Sequence, residues 1–469
     1  MNGYEITTFR AGISDYEDIG PEGSFKFGRN IDIRKPIDTI SCQQALIEDA
    51  PNGTFTGLAY FIISASDGNT YFLCSDGKII KRTSAGAYST AYIDPSGAIK
   101  GAAEWYDRDT GKVFLYWATD TKLNRKELPG NTATPWIDVN ADPSWPRTNL
   151  TSAAWHTMRI TANQLSICND SKIAFVGYDS SFTNEGLDLI PGNIAKTLIE
   201  SDIYVKIGGD RKDIREFSGL FIWDTTADSW NGKKIVPEKT INSMIDTEIP
   251  LLQVGSKGNI YYGDMQAILP ITSFPGGGMT NPHGITNDNG LALFGVWGNG
   301  SGKTGIYSYG RKKKIGKFAL NLEYQFDCDE IGAVEKIGND IFCTYRTGTT
   351  YGVKKVDSTA KAQALYQSID LNAPVEKDTT KLTTWSYVRL ELKPLPSGCS
   401  VEVWRRIDKS SDGFKQAEME NGSLQFNTEG GTEAVFKLGD GAEKFELQII
   451  CNPAGNLTPD VYKASIYVE

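Results

Sequence analysis

The sequence predicts an all-β protein, with a six- or seven-bladed β-propeller followed by a C-terminal antiparallel β-sandwich. The first observation is that most apolar runs are short and end in turns such as "SDGN" (66–69) and "DTGK" (109–112), which is typical of hairpins. The second is that groups of such runs recur at intervals of about 40 to 50 residues, the length of one four-stranded blade. The third is a change to strict apolar-polar alternation near the C-terminus.

The first observation extends along most of the chain. One group, "GLAYFIISASDGNTYFLCSDGKIIKRT" (57–83), contains three apolar strands joined by two tight turns. Helical periodicity is nearly absent, and the best helix candidate is "GNIAKTLIES" (192–201), in which Ile194 and Leu198 share a face. Runs that are apolar on both faces indicate sheets covered on both sides, as the blades of a propeller are.

The strand groups begin near seven positions. These are Gly57, Lys100, His156, Ile203, Pro250, Thr286 and Ile331. Their spacing favours a propeller of six or seven blades over the alternative, a set of stacked sandwiches with fortuitous spacing.

After residue 372 the pattern becomes that of a half-buried antiparallel sheet. "VRLELK" places Val388, Leu390 and Leu392 on one face and charged residues on the other. "FELQIIC" (445–451) and "KASIYVE" (463–469) alternate in the same way.

These sequence patterns divide the chain into three regions. The first residues are rich in turns around a strand-like "FKFGRNIDIR", which suggests an extended segment lying over the propeller or over a neighbouring subunit. The expected regions are an N-terminal segment (1–54), a propeller (55–372) and a sandwich (373–469), with the last boundary near "PVEKDTTKLTT".

Composition excludes several classes of protein. With 40% apolar and 23% charged residues, the 469-residue chain has a globular composition. A net charge of -10 argues against wrapping nucleic acid on a basic surface, but it suits a pore through which DNA slides without sticking. Two histidines offer no sequence-local metal cluster, so we expect no metal and no cofactor.

The compartment follows from the chain start and the cysteines. The start "MNGYEITTFRAGISDYEDIG" lacks the basic and apolar regions of a secretory signal. Seven scattered cysteines without a C-x-x-C pair indicate reduced thiols in a protein made in a cytosol. The early apolar stretch "GLAYFIISA" is too short to span a bilayer, and we expect no membrane association.

A glycine-rich stretch, "FGVWGNGSGKTG" (294–305), is similar to a nucleotide-binding P-loop. The P-loop requires glycine five positions before its Gly-Lys pair, where this chain has Trp297. The residues after Thr304 favour a strand rather than the required helix. We therefore interpret the stretch as an inner propeller strand followed by the slack tip of a hairpin, which would become ordered only against a neighbour in an assembly.

Paired carboxylates are the other candidates for chemistry. Asp107 with Asp109, and Asp327 with Asp329 and Glu330, could line a cleft as the acid and base of a glycoside hydrolase. Aspartate is equally common at strand ends, where it caps turns.

The remaining signals are short and unspecific. "SASDGNTYF" departs from the sialidase Asp-box, and "DRDTG" and "TNDNG" lack the full oxygen series of calcium loops. The basic run at 311–314 is typical of a solvated turn, and His156 and His283 have no visible triad partner. The predicted catalytic, cofactor-binding and metal residues are therefore none.

The layout as a whole resembles one family. The chain opens with "FRAGISDYEDIG", continues through "FGRNIDIR" and ends with "FELQIICNPAGNLTPDVYKASIYVE". It is similar to tailed-bacteriophage structural proteins of the propeller class, including the tail nozzle proteins of short-tailed phages. Their Gly-Ile or Gly-Leu start leads to an Asn-Val-Asp-like strand, here Asn30-Ile31-Asp32, and a loop with Thr-Pro, here Thr458-Pro459, often precedes their last strand. Their "Leu-Arg-Arg-Pro-Gly" is replaced here by "DIRKPIDT".

The resemblance implies a non-enzymatic virion component, made in the host cytoplasm, that forms a homo-oligomeric ring as a tail nozzle or tail ring. It would contribute to the DNA conduit or to tail attachment. Its partners would be further copies, other tail or portal-proximal proteins, and DNA that passes without sequence recognition. Solvent-facing residues such as Tyr467 would serve the subunit interface. The alternatives are a virion propeller that binds a host receptor or glycan, and a glycoside hydrolase that uses the carboxylates above.

Overall fold

The protein is described here from a computed structural model, which covers residues 2–16, 20–35, 38–213, 216–226, 229–264, 266–311, 317–372 and 383–468. Within these ranges every regular element is a β-strand, which confirms the predicted all-β class. The chain forms two compact units. The propeller unit comprises Glu48–Thr304 and Asp327–Lys355, and the sandwich unit comprises Met1–Ile47, Gly305–Phe326 and Val356–Glu469.

The strands are numbered in chain order. The first twenty are β1 (Asn2–Ile6), β2 (Gly12–Ile13), β3 (Ser24–Phe25), β4 (Phe27–Arg29), β5 (Gln44–Glu48), β6 (Ala59–Ser64), β7 (Thr70–Cys74), β8 (Lys78–Arg82), β9 (Tyr88–Ile93), β10 (Gly101–Asp107), β11 (Lys112–Ala118), β12 (Leu123–Leu128), β13 (Met158–Thr161), β14 (Gln164–Asn169), β15 (Lys172–Val176), β16 (Phe182–Asp188), β17 (Asn193–Ser201), β18 (Tyr204–Arg211), β19 (Ser218–Trp223) and β20 (Gly232–Val236). The others are β21 (Ile241–Asp246), β22 (Pro250–Val254), β23 (Asn259–Gly263), β24 (Ile268–Ser273), β25 (Ile285–Asp288), β26 (Leu291–Val296), β27 (Gly305–Gly310), β28 (Ala319–Gln325), β29 (Glu330–Ile337), β30 (Asp340–Thr347), β31 (Thr350–Lys361), β32 (Ala364–Gln367), β33 (Leu371–Asn372), β34 (Thr383–Leu392), β35 (Ser400–Ile407), β36 (Lys415–Gln416), β37 (Glu418–Met419), β38 (Glu433–Ala442), β39 (Lys444–Asn452) and β40 (Val461–Val468).

The propeller unit is a closed ring of seven blades in the described part of the chain. Four blades are up-and-down sheets of four strands: β6–β9, β13–β16, β17–β20 and β21–β24. The second blade has three strands, β10–β12. Within the propeller unit, β25 and β26 form the sixth blade and β29–β31 form the seventh. The first strands touch in sequence, namely β6, β10, β13, β17, β21, β25 and β29, and β29 contacts β6 again. Such a ring is a seven-bladed propeller, which confirms the predicted fold.

The first strands all run in the same direction through the ring. The Ser66 amide just beyond β6 donates to the Glu104 carboxylate at 2.7 Å, and the Ala162 amide just beyond β13 donates to Glu200 at 3.0 Å. Ends of neighbouring first strands therefore lie side by side. We call the surface where these strands end the end face and the opposite surface the start face.

The ring closes between the seventh and first blades. The hydroxyl of Thr344 on β30 donates to the carbonyl of Ala59 on β6 at 2.6 Å and accepts from the amide of Ala333 at 2.8 Å. At the outer edge, the amide of Asp49 donates to the carbonyl of Val353 at 2.9 Å. The first residues of the unit are thus hydrogen-bonded to its last strand, which holds the ring shut.

Five of the seven predicted blade starts lie within two residues of the observed first strands, but Ile203 and Pro250 were wrong. They lie beside β18 and β22, the second strands of their blades. The true first strand of the fourth blade is β17, which contains the segment with the best helical pattern. Leu198 and Ile199 on β17 are both buried because a blade is covered on both faces, so no two-residue period was visible.

The second blade replaces its fourth strand with a long connection. Between β12 and β13 the chain runs through residues 129–157 without a named strand. Two tryptophans anchor it: Trp136 packs on Tyr71 with ring centroids 5.4 Å apart, and Trp145 packs on Tyr116 at 5.5 Å. Both indoles are buried, so the connection belongs to the core rather than to a loose loop.

The sandwich unit consists of two main sheets. One has the order β1-β40-β34-β38-β37, and the other contains β28, β4, β32, β39, β35 and β36. Trp385 on β34 stacks on Phe445 on β39 with centroids 4.7 Å apart, which joins the two sheets face to face. The predicted inward residues are buried, namely Val388, Leu390, Leu392, Phe445, Leu447, Ile449, Cys451, Ala464, Ile466 and Val468. This confirms the sandwich and its two-residue period.

The start of the chain is part of the sandwich. Strand β1 pairs with β40 from Asn2↔Val468 to Ile6↔Ala464, and β4 pairs with both β28 and β32. The unit also includes residues 305–326, which the sequence had assigned to the propeller. The compact units therefore divide the chain differently from the expected 1–54, 55–372 and 373–469, because strands distant in sequence pair here. The expected boundary near 373–382 lies outside the described residues.

Candidate functional site

The glycine-rich stretch at 294–305 binds a carboxylate of its own chain. The amide of Gly302 donates to Asp327 at 2.7 Å, and the Ser301 hydroxyl lies 3.3 Å from the same carboxylate. The side chain of Asn299 is buried, donates to the carbonyl of Lys303 at 2.7 Å and accepts from the Thr304 hydroxyl at 3.1 Å. Beyond it, β27 is a strand, as expected. The expectation of a slack tip was wrong, since these side chains order the loop internally.

Asp107 and Asp109 lie in different surroundings at the end of β10. Asp107 is buried at the end of β10, where it accepts from the Thr110 amide at 3.0 Å and the Ser180 hydroxyl at 2.7 Å. Burial acts to raise the pKa of Asp107, but these donors outweigh it, and the net shift is downward. Asp109 is exposed in the turn that follows. A carboxyl whose pKa is lowered cannot act as the protonated acid of a glycosidase at neutral pH.

The second carboxylate group, on the seventh blade, is also occupied by turn and side-chain donors. Asp329 accepts from the Gly348 amide at 2.6 Å, which caps the β30–β31 turn. Glu330 accepts from the Tyr60 hydroxyl at 3.1 Å and lies 3.3 Å from Arg346. Glu330 lies at the beginning of β29 on the start face, whereas Asp107 lies at the end of β10. The two groups are therefore on opposite faces of the ring.

Both histidines are structural. The ring nitrogens of His156 lie 2.9 Å from the carbonyls of Asp120 and Cys168, and burial lowers the pKa of the imidazole. His283 packs edge-on against Phe61 at 4.7 Å, and burial lowers its pKa well below the ordinary range. Neither ring meets a nucleophile among the contacts of the described residues.

A pair of opposite charges lies inside the ring. Arg159 on β13 interacts electrostatically with Glu335 on β29, and these strands belong to blades that are not neighbours. Burial raises the pKa of Glu335 to about 7, against the opposing effects of the Arg159 charge and a hydrogen bond from Thr286.

One cavity lies on the end face, between the first three blades. It has a volume of about 630 Å³ and is lined by residues of all three blades. Trp105, Tyr106 and Tyr178 form one aromatic cluster with centroid distances of 4.9, 5.3 and 5.5 Å. Trp105 is fixed by its indole N–H, which donates to the carbonyl of Gly177 at 3.2 Å, whereas Tyr106 is 41% exposed. We call this cavity and its neighbour, described next, the aromatic groove.

A second cavity of about 530 Å³ is lined by residues of the second and third blades and of the connection between them. Its lining includes Asp107 and Asp179, the residues that follow Tyr106 and Tyr178 in the chain. The guanidinium of Arg125 is sandwiched there between two rings, 4.3 Å from Phe114 and 4.5 Å from Trp145. Arg125 also donates to Asp142 and to Ser180, each at 2.9 Å, so this wall is rigidly cross-linked.

The other sequence features considered were metal clusters, two turn motifs, a basic run and the cysteines. In the described part of the chain, no group of three or more His, Cys, Asp or Glu side chains is arranged to hold a metal, and no helix could cross a membrane. Asp67 of "SASDGNTYF" lies in a turn and accepts from the Asn69 amide at 3.0 Å, whereas Asp288 of "TNDNG" ends β25 and is paired with Lys336. Lys312–Lys314 of the basic run lie outside the described residues. All seven cysteines are free, and six are buried.

Sequence reasoning missed the aromatic groove. The stretch "EWYDRDTG" had been considered only for its aspartates. Successive strand residues point to opposite faces, but a blade is covered on both faces, so the adjacent aromatics Trp105 and Tyr106 did not reveal which ring is exposed. The usable signal was the interval from Lys100 to His156, the longest between predicted blade starts, because it indicated an insertion in the second blade, where Trp145 lies. Tyr178 and Asn163 carry no comparable signal, because only the closed ring brings the third blade beside the second.

Comparison with known proteins extends only to fold. No family model matches the sequence, and no curated protein matches it. Among solved structures, the chain is similar to the WD40 β-propeller domain of Doa1, with 12% identity and a TM-score of 0.46 over 67% of this chain and 97% of that one. It is also similar to the WD40 repeats of RRP9, with 11% identity and a TM-score of 0.45 over 68% and 100%. The strand topology described above makes this chain an all-β protein with a β-propeller.

Proposed function

We propose that the protein is a structural component of a tailed-phage virion, a nozzle or tail-ring protein that assembles as a homo-oligomer. In this proposal it is made in the host cytoplasm and contacts other tail or portal-proximal proteins. DNA passes it without sequence recognition, and the net charge of -10 offers phosphates few binding points.

The observation that carries the proposal is the joining of the two family-like segments in the sandwich unit. Thr458 of the C-terminal loop accepts a hydrogen bond at 2.8 Å from the amide of Cys42, and Ile40 pairs with Val461. Asn30 adopts a left-handed conformation with φ 55° and donates to the carbonyl of Gln363 at 3.0 Å. The N-terminal and C-terminal segments that resemble the phage proteins thus belong to one folded module. This supports the view that the two segments were inherited together from one family.

The carboxylates support a non-enzymatic role. In the aromatic groove, Asp142 accepts from the Ser144 amide and from Arg125, and Asp179 accepts from the Ser181 amide. These contacts lower the pKa of both groups. Hydrolysis of a glycosidic bond needs one carboxyl whose pKa is raised, and neither of these meets that requirement.

The outer rim of the propeller unit offers a surface for a second copy. Strands β20 and β24 are the outer strands of neighbouring blades and contact each other. Ile235 on β20 is 64% exposed and Leu269 on β24 is 54% exposed. Exposed apolar side chains on adjoining sheet edges are typical of protein interfaces.

Light scattering of the purified full-length chain tests the proposal. We expect a defined integer multiple of the chain mass at micromolar concentration. Ile235→Lys combined with Leu269→Lys should lower that mass, whereas Ile203→Lys, at an exposed position in the β17–β18 turn, should leave it unchanged. A monomer at all concentrations would contradict the ring. Tyr467 is half-buried and stacks on Tyr387 at 4.3 Å within its own unit, and its place at a subunit interface stays a prediction.

A further inference from the structure

The aromatic groove combines exposed apolar side chains with polar groups that lack intramolecular partners. Ile160 on β13 is 54% exposed and lines the same cavity as the exposed ring of Tyr106. Ser64 and Asn163 also line the cavity and are exposed at the ends of the first and third blades' first strands. Among the described residues, neither side chain forms a hydrogen bond, which leaves a hydroxyl and an amide available to a ligand.

Two further polar groups point to the same use. The Glu104 carboxylate is held by the Ser66 amide at 2.7 Å through one oxygen, and it lines the cavity beside Trp105. In the neighbouring cavity, Arg147 lines the wall with its guanidinium 5.0 Å from the Trp145 ring. A guanidinium carries five N–H donors, and those that face the cavity can donate to a ligand hydroxyl.

The chemistry of these groups matches a sugar. A pyranose ring has a face of C–H groups that packs on an aromatic ring and an edge of hydroxyls that both donate and accept hydrogen bonds. Both cavities fall within the range of about 300 to 1,000 Å³ that is usual for small-molecule sites. The walls are held by the Trp105 and Arg125 contacts, so little ordering would accompany binding.

The charge of the groove selects among sugars. Its two cavities are lined by six carboxylates and three cationic side chains. Sialylated, sulfated or phosphorylated glycans would meet net repulsion there, since like charges at close range are unfavourable. A neutral oligosaccharide would not.

We propose that the aromatic groove binds a neutral oligosaccharide. One pyranose ring lies against Tyr106 and Ile160, and its hydroxyls bond to Asn163, Ser64 and Glu104. A following sugar reaches the second cavity, where Arg147 donates to it. The proposal depends only on the propeller unit: a monomer that binds sugar would overturn the ring assembly and leave this site in place.

The test uses full-length protein on a printed array of neutral and anionic oligosaccharides built from common hexoses, deoxyhexoses and N-acetylhexosamines. The strongest neutral glycan is then titrated up to about 10 mM, tenfold above a dissociation constant of 1 mM, with tryptophan fluorescence as the readout. We expect saturable binding of at least one neutral glycan. Its sialylated counterpart should bind at least about tenfold more weakly.

Variants locate the site. Tyr106→Ala should weaken binding by about tenfold, the effect of losing one aromatic stacking partner, and Asn163→Ala by about three- to tenfold. Tyr106→Phe should retain the affinity. The matched control is Tyr462→Ala on β40, because Tyr462 is 39% exposed against 41% for Tyr106. Thermal melting of each variant checks folding.

Three results would overturn the proposal. They are no saturable binding of any neutral glycan, a preference for anionic glycans, and an affinity that Tyr106→Ala leaves unchanged in a folded protein.

Discussion

Gly332→Ala tests the closure of the propeller ring. Gly332 lies on β29, where an added Cβ would collide with the carbonyl oxygen of Ala59 on β6 and lie 2.8 Å from the Thr344 hydroxyl. Both neighbours take part in the hydrogen bond between the seventh and first blades. The new methyl group can be accommodated only if these blades separate.

The magnitude follows from three contributions. Overpacking costs about 1–3 kcal/mol. Losing the Thr344–Ala59 hydrogen bond costs about 1 kcal/mol more. Alanine restricts the unfolded chain, which returns about 0.4–1 kcal/mol. We expect the free energy of unfolding of the propeller unit to fall by about 2–3 kcal/mol.

Urea denaturation followed by tryptophan fluorescence measures this change. Eight of the ten tryptophans lie in the propeller unit, so the signal reports mainly on it. The matched control is Gly232→Ala on the outer strand β20, where an added Cβ meets no atom within 4 Å. The control should match or slightly exceed the wild type. Equal stability of Gly332→Ala and Gly232→Ala would refute the closure described here.

Three further perturbations address the ring interior, a blade junction and the glycine-rich loop. Glu335 has a pKa of about 7 in the folded protein, above its ordinary value of 4.5, so the folded state binds a proton more tightly than the unfolded state does. The protonated side chain therefore stabilises the fold below pH 4.5, and this stabilisation is lost as the pH rises through 7. In urea titrations the free energy of unfolding of the wild type should be lower at pH 8 than at pH 5 by at most about 3 kcal/mol, and Glu335→Gln should remove this difference. In the wild type the buried indole N–H of Trp117 donates to the Asp94 carboxylate at 2.7 Å. Asp94→Ala leaves this N–H without a partner and should lower the free energy of unfolding by about 3 kcal/mol in the same assay. Asp327→Ala should speed amide hydrogen exchange at Gly302 with a change in global stability of about 1 kcal/mol or less.

Each of these perturbations has a control or a contrary result. Glu429→Gln, at an exposed carboxylate, should keep the wild-type pH dependence, and an unchanged dependence in Glu335→Gln would contradict the raised pKa. Asp109→Ala, at an exposed turn position, should be nearly neutral beside Asp94→Ala. Unaltered exchange at Gly302 in Asp327→Ala would mean that the carboxylate does not order the loop.

The fold was largely predictable from local pattern. Short apolar runs between turns gave the strands, and the alternation around Val388 gave the sandwich faces, because a half-buried sheet imposes a two-residue period. The start of the fourth blade was missed because β17 is covered on both faces and shows no such period. The pairing of β1 with β40 was missed because no local pattern encodes contacts across the whole chain.

The candidate site was much less predictable. The carboxylates were candidates for catalysis because of their residue type alone. In the structure Asp107 and Asp329 accept hydrogen bonds from turn amides, which is the role that their positions at strand ends also indicated. The aromatic groove depends on Tyr106 and Tyr178, which come from different blades. Their proximity results from ring closure, so it becomes visible only in three dimensions.

The most direct test of the proposed function is the protein content of phage particles. Particles purified from a bacterial culture that carries this gene can be analysed by quantitative peptide mass spectrometry, with the major capsid protein as internal standard. The account predicts the chain in intact particles at a fixed low copy number that matches the oligomer seen by light scattering. Its absence from intact particles, with the protein present only in the lysate supernatant, would contradict the account.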